Sequence, residues 1–149
     1  MEQLESKFNI TETIRTVKRT HEEMQKAIFI ARHASEPLLT DITLMDELLD
    51  EFRAHTGRQE LTADDRRMFI FIVQYLYAPR NLIGLKMPKG LRRAIARVLR
   101  RNAVSVISDI GRATLLNYQV YTQFRMEINR IFDGMMAWIK EHRDQRTEA

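Results

Sequence analysis

Nine lysine and arginine residues between Pro79 and Arg112 are the side chains that point most directly to chemistry. They are Arg80, Lys86, Lys89, Arg92, Arg93, Arg97, Arg100, Arg101 and Arg112, and Asp109 is the one acid in the segment. The segment has a net charge of +8, whereas residues 1–78 carry −4 and residues 113–149 are neutral. A local excess of positive charge holds polyanions by displacing their counterions. The charge distribution therefore indicates nucleic-acid binding.

An amphipathic helix over 91–101 is predicted to position most of these cations. Its apolar residues recur at i, i+4, i+7 and i+8 and so share one face; they are Leu91, Ile95, Val98 and Leu99. The arginines form the opposite stripe, and their planar guanidinium groups suit bidentate contact with phosphate oxygens. We therefore predict a phosphate-binding set that consists of Lys86, Lys89, Arg92, Arg93, Arg97, Arg100 and Arg101.

A second helix is predicted to begin at Val104 or Ser105, after a break at Asn102–Ala103. Its pattern would bury Val104, Ile107 and Gly111 or Leu115. The residues then predicted to face outward are Ser105, Ser108, Asp109 and Arg112. Short polar side chains beside an arginine are what a helix in the major groove uses on phosphates and base edges.

The stretch RRAIARVLRRNAVSVIS resembles a helix-turn-helix DNA-binding domain, over about residues 90–117. Ile95-Ala96 resembles the buried pair of the first helix, Leu99 its closing apolar position, and Ile107-Ser108 the pair early in the recognition helix. The resemblance implies base contacts from Ser105, Ser108, Asp109 and Arg112, with Arg92, Arg93 and Arg97 nearer the DNA backbone. Two features depart from the pattern: the turn has no glycine, and the spacing from Ala96 to Ser108 is about one residue longer than usual.

Helical periodicity dominates the whole chain, and hairpin signals of the Asn-Gly or Asp-Gly type are absent. Capping-box spacing predicts that one helix starts at Asn9, with Glu12 three residues later, and that another starts at Thr62, with Asp65. The second of these is predicted to continue through the apolar run over 68–78 as a buried helix. We predict an all-α fold, a helical bundle with a helix-turn-helix-like basic module, in one compact domain. The predicted parts are an acidic helical region over 1–78, a loop and candidate subdomain boundary over 79–90, the basic module over 91–118 and a last helix over 119–142.

Two stripes of apolar residues at heptad spacing, over 14–31 and 121–138, leave two interpretations open. They can pack on each other within one bundle, or they can form the seams of intermolecular coiled coils. A homodimer would fit DNA binding, because paired recognition helices need a symmetric scaffold. His21 lies on the first stripe, where a hydrogen-bonded core or interface residue is expected rather than a metal ligand.

Enzymatic, metal-binding and membrane functions are not indicated. The four histidines lack metal-site spacing, and there is no glycine-rich phosphate loop. Asp46, Glu47, Asp50 and Glu51 could together hold Mg²⁺, but carboxylates at this spacing are typical of a solvated helix face. The apolar run over 68–78 is too short to span a membrane, and the first ten residues lack the apolar core of a signal peptide. We predict a cytoplasmic non-enzyme without a cofactor.

The expected function is that of a small regulatory or accessory factor that contacts duplex DNA. The alternative is a structural or adaptor protein whose basic face docks on an acidic protein partner. RNA is the less favoured polyanion, because the basic segment has no aromatic side chains on which bases could stack.

Overall fold

The computed structural model describes residues 9–34 and 36–148, and it confirms the predicted all-α class. Six α-helices lie in the described part: α1 Ile10–Ala34, α2 Met45–Thr56, α3 Ala63–Tyr77, α4 Leu91–Leu99, α5 Ile107–Val120 and α6 Thr122–Glu148. Short 3-10 turns cover Ile42–Leu44, Pro79–Ile83 and Val104–Val106. The prediction that the chain has no signal peptide rests on its first ten residues, and residues 1–8 lie outside the described residues. No helix in the described ranges is long and apolar enough to cross a membrane.

The chain divides into two compact units, residues 1–36 and residues 37–149. The predicted boundary at 79–90 therefore lies inside the second unit and does not separate the two. The reason is that its 3-10 turn buries Asn81 and Leu82, and Met87 further along the loop is also buried. A loop that contributes side chains to a core joins the elements on either side of it.

Helix α1 is the described element of the first unit. It begins where the sequence predicts, since Asn9 Oδ1 accepts a hydrogen bond from the Glu12 backbone N–H at 3.1 Å. Every described residue from 9 to 32 is exposed. The apolar stripe is included, with exposed fractions of 60% for Ile14, 63% for Val17, 56% for Met24 and 41% for Ile28.

Helix α3 lies at the centre of the second unit and contacts α2, α4, α5 and α6. Its residues from Met68 to Val73 are all buried, as are Gln74 and Leu76. This burial explains why the sequence here reads as a continuous apolar run instead of a one-sided stripe. The prediction of a buried helix over 68–78 is confirmed.

Helix α6 also contributes a row of buried side chains to the core. Ile128, Ile131 and Met135 from the predicted heptad stripe are buried, and Ile139 extends the buried row by one more turn. Tyr121, which the sequence places at the start of this stripe, is 60% exposed because it lies in the break between α5 and α6. The stripe over 121–138 thus serves core packing within the second unit along most of its length.

The N-terminus of α3 is held by a buried carboxylate. Thr62 and Asp65 form the predicted capping box, with Thr62 N–H donating to Asp65 Oδ2 at 2.9 Å and Asp65 N–H donating to Thr62 Oγ1 at 3.1 Å. Arg58 also donates to Asp65, from Nε to Oδ2 at 2.8 Å and from Nη2 to Oδ1. Asp65 is fully buried, so these bonds replace the water that its charge would otherwise need.

We expect Asp65→Asn to lower the free energy of unfolding by about 2 kcal/mol at neutral pH, because it removes charge-assisted hydrogen bonds from a buried position. The Arg58 guanidinium, with Thr62, holds the pKa of Asp65 below its usual value. The folded protein therefore binds this proton less readily than the unfolded chain. The stabilisation is present above about pH 4 and is lost as the pH falls through the lowered folded pKa. Urea unfolding across a pH series measures both effects.

Asp64→Asn is the matched control. Asp64 is the neighbouring acid in the same helical turn, but its side chain is 72% exposed and its ion pair with Arg67 lies in water. We expect a change below about 0.5 kcal/mol. Equal destabilisation by the two substitutions would contradict the role given to the buried carboxylate.

Candidate nucleic-acid interface

Helix α4 is oriented by its buried apolar face. Leu91, Ile95, Val98 and Leu99 are all buried against the core, as the sequence predicts. The arginines of the helix lie on the opposite side, which faces solvent. Every member of the predicted phosphate-binding set is exposed: Lys86, Lys89, Arg92, Arg93, Arg97, Arg100 and Arg101. Burial of one face thus leaves Arg92, Arg93 and Arg97 of α4 exposed on the other.

A tight turn at Arg100 ends α4. Arg100 has a φ of 64° and donates its backbone N–H to Ala96 O at 2.9 Å, which is a left-handed helix cap. It is the one residue other than glycine with a positive φ among the described residues. This is a conformation that glycine usually supplies. Residues 100–103 then lead into the 3-10 turn at Val104–Val106, so seven residues connect α4 to α5, which is longer than the three- or four-residue turn of a helix-turn-helix motif.

One arginine of the set is engaged within the protein. Arg97 Nη2 donates to Asp46 Oδ2 at 3.0 Å and Arg97 Nη1 donates to Asp46 Oδ1 at 3.4 Å, which ties α4 to α2. Both side chains are more than half exposed, so the pair stabilises the fold only weakly. The other six cations of the set make no ion pair with any described carboxylate. We call these six the basic surface: Lys86, Lys89, Arg92, Arg93, Arg100 and Arg101.

Helix α5 presents a different face from the one predicted. Ser108 is 8% exposed and Val104 is 41% exposed, so the prediction that Ser108 faces outward and Val104 inward is wrong. The cause lies in the turn: Val104–Val106 is a 3-10 turn, and α5 begins only at Ile107. That local change of helix type rotates α5, so that Ile107, Ser108, Gly111 and Thr114 lie on its buried side.

The remaining predicted base-facing residues are at the surface. Ser105 and Asp109 are exposed, and Arg112 is partly buried. Arg112 Nη2 donates to Asp109 Oδ1 one turn away on the same helix, so the cation and the acid partly neutralise each other. Elsewhere on the outward side of α5, Leu116 and Val120 are 63% and 69% exposed, and Gln119 is a further exposed polar side chain. The outward side therefore offers few groups for reading bases.

Gly111 allows α5 to approach α3 closely. A Cβ atom at this position would lie 1.2 Å from Gln74 Oε1, far inside contact distance. Gln74 is itself held in place, since its Nε2 donates to Asn81 Oδ1 at 2.6 Å and Asn81 Nδ2 donates to Leu85 O at 2.7 Å. This buried amide pair joins α3 to the loop before α4. Sequence reasoning assigned Gly111 to the buried side but missed Gln74 and Asn81, which lie 37 and 30 residues before it and have no motif spacing.

We expect Gly111→Ala to lower the free energy of unfolding by about 2 kcal/mol, because Gln74 must leave its hydrogen bond to make room for the methyl group. Thermal or urea unfolding of the full chain measures the loss. The double variant Gln74→Ala/Gly111→Ala should lose less than the two single losses added together, because removing the amide removes the clash. Strictly additive losses would contradict the proposed contact. Ala113→Ser, on the exposed side of the same helix, should change little.

The acidic cluster on α2 is distributed among separate ion pairs. Asp46 contacts Arg97, Asp50 contacts Arg53 at 3.9 Å, Glu51 contacts His55 at 3.6 Å and Glu47 contacts His142 at 3.8 Å. These carboxylates therefore do not converge on a common point. No group of three or more His, Asp or Glu side chains suited to a metal ion occurs within the described residues.

Comparison of the chain with protein-family models, with curated proteins and with solved structures finds no match. The function of this protein therefore has to be inferred from the chemistry of its own surface, and above all from the basic surface around α4.

Proposed function

We propose that this protein binds duplex DNA, mainly through backbone phosphates, as a small regulatory or accessory factor. The observation that carries the proposal is the basic surface, which places six exposed cations within 16 residues without a described acidic partner. A nucleic-acid backbone is a ligand whose phosphates such a surface can neutralise with release of counterions. The resemblance of residues 90–117 to a helix-turn-helix module favours a duplex as the form of nucleic acid.

The geometry of α4 suits phosphates of one DNA strand. Arg92 and Arg93 lie in the first turn of α4, and Arg100 is the residue that caps its C-terminus, so the three cations are spread over about 12 Å along the helix axis. The other face of α4 is buried, so the backbone positions of these residues are preorganised. Guanidinium groups held in this way lose little conformational entropy when they form bidentate bonds to phosphate oxygens.

Base recognition is the weaker part of the proposed interface. Ser108 is buried, and Arg112 and Asp109 are bound to each other, so three of the four predicted base-facing residues are engaged within the protein. Ser105 remains exposed in the 3-10 turn before α5. We therefore expect binding that depends strongly on salt and only modestly on DNA sequence.

We expect the triple variant Arg92→Gln/Arg93→Gln/Arg100→Gln to bind a random duplex about tenfold or more weakly at low salt. The slope of log K against log salt concentration should also become shallower by about 3, because three phosphate contacts are lost. Fluorescence anisotropy of a labelled duplex across a salt series measures both quantities. An equal-length single strand, titrated in parallel, shows whether the duplex is preferred.

The matched control is Arg15→Gln/Arg67→Gln/Arg130→Gln. It reduces the net charge by the same three units, but each of these arginines is already paired with a carboxylate three residues away in its own helix. It should keep most of the affinity and of the salt slope. Equal losses in both triple variants would show that overall charge acts without a specific surface. No binding of the wild-type protein at low salt would reject the proposal and favour an acidic protein partner for the basic surface.

A further inference from the structure

The exposed side of α1 carries a regular apolar seam. Seven positions recur at alternating three- and four-residue steps; they are Ile10, Ile14, Val17, His21, Met24, Ile28 and Ala31. All seven are exposed in the described helix, and Ile10 reaches 74%. A contiguous apolar face of this kind in water marks an interaction surface. The side of the helix away from the seam is mixed: Arg15 Nη1 lies 3.8 Å from Glu12 Oε1, whereas Phe29 and Ile30 are 63% and 65% exposed.

The length and period of the seam match a two-stranded coiled coil. Helix α1 has 25 residues and therefore extends for about 38 Å. The seven positions fit a heptad in which Ile14, His21 and Ile28 occupy a positions, while Ile10, Val17, Met24 and Ala31 occupy d positions. Apolar side chains at both the a and the d positions are what the seam of a coiled coil requires.

We propose that α1 pairs with α1 of a second copy of this chain in a parallel, in-register coiled coil. The charges that flank the seam are compatible with such a pair. In the parallel register Lys18, at an e position, lies opposite Thr13 of the other copy, and Arg32 lies opposite Ala27. No like charges are therefore brought together. The acids Glu12, Glu22 and Glu23 lie at outer positions, where they remain in water.

His21 favours the parallel register. It is the single polar residue among the seven, and in a parallel pair the two His21 side chains share one layer of the seam. One neutral imidazole can then donate its N–H to the ring nitrogen of the other. In an antiparallel pair each His21 would lie beside Met24 of the other copy, without an equivalent acceptor. A polar residue at an a position commonly sets the register in this way.

The first experiment is sedimentation velocity of the full chain over a concentration series, without DNA. We expect a dimer for the wild type, and a dissociation constant at least about a hundredfold higher for Val17→Asp, because that change places a charge in each half of the seam. Thr16→Asp is the matched control: it adds the same charge one residue away on the outer side, and it should stay dimeric. A monomeric wild type, or equal behaviour of the two variants, would overturn the proposal.

The second experiment tests the register. The chain contains no cysteine, so Ala31→Cys creates a single thiol at a d position. Under oxidation it should form a disulfide-linked dimer in high yield, because equivalent d positions meet in a parallel pair. Lys26→Cys, at an outer position, should cross-link poorly. Equal yields from the two variants, or no cross-linking of Ala31→Cys, would overturn the parallel arrangement. Neither experiment involves DNA, so its failure is separate from failure of the proposed function.

Discussion

The second unit depends on the burial of one helix, α3, along most of its length. Because α3 contacts α2, α4, α5 and α6, each polar group on its buried sides needs a partner inside the protein. Asp65 is paired with Arg58, and Gln74 donates to Asn81. Tyr77 Oη donates to Asp41 O at 2.6 Å, and burial raises the pKa of this phenol. Two of these bonds attach α3 to the segments directly before and after it, and the third attaches it to Asp41, 36 residues earlier. Together they determine how the neighbouring elements are placed.

The position of the basic surface follows from this arrangement. Asn81 lies between Gln74 of α3 and Leu85 O, so the loop that leads into α4 is attached to the central helix. The apolar face of α4 then packs on the core, and its arginines face solvent. On the other side of the turn, Gly111 lets α5 lie close against Gln74. The same amide thus positions both helices of the module and links core packing to the proposed DNA contact.

Local signals in the sequence account for most of the helices and for the basic surface. Three such signals each act over a few residues, so they can be recognised without knowledge of the tertiary structure. They are the capping box at Thr62–Asp65, the left-handed cap at Gly57 and the amphipathic period of α4. The orientation of α5 could not be predicted in the same way. It depends on a 3-10 turn at Val104–Val106 and on the contact of Gly111 with a side chain 37 residues earlier in the chain.

By itself the sequence determined the all-α class, the segregation of charge and the exposed arginine stripe, because periodicity and net charge are properties of neighbouring residues. Only the tertiary structure decided which heptad stripe is buried. The stripes over 14–31 and 121–138 have the same spacing, yet Ile131 and Met135 are fully buried whereas Val17 is 63% exposed. Spacing specifies an apolar face, but burial also requires a surface for that face to pack against, and such a surface is made by residues distant in the chain.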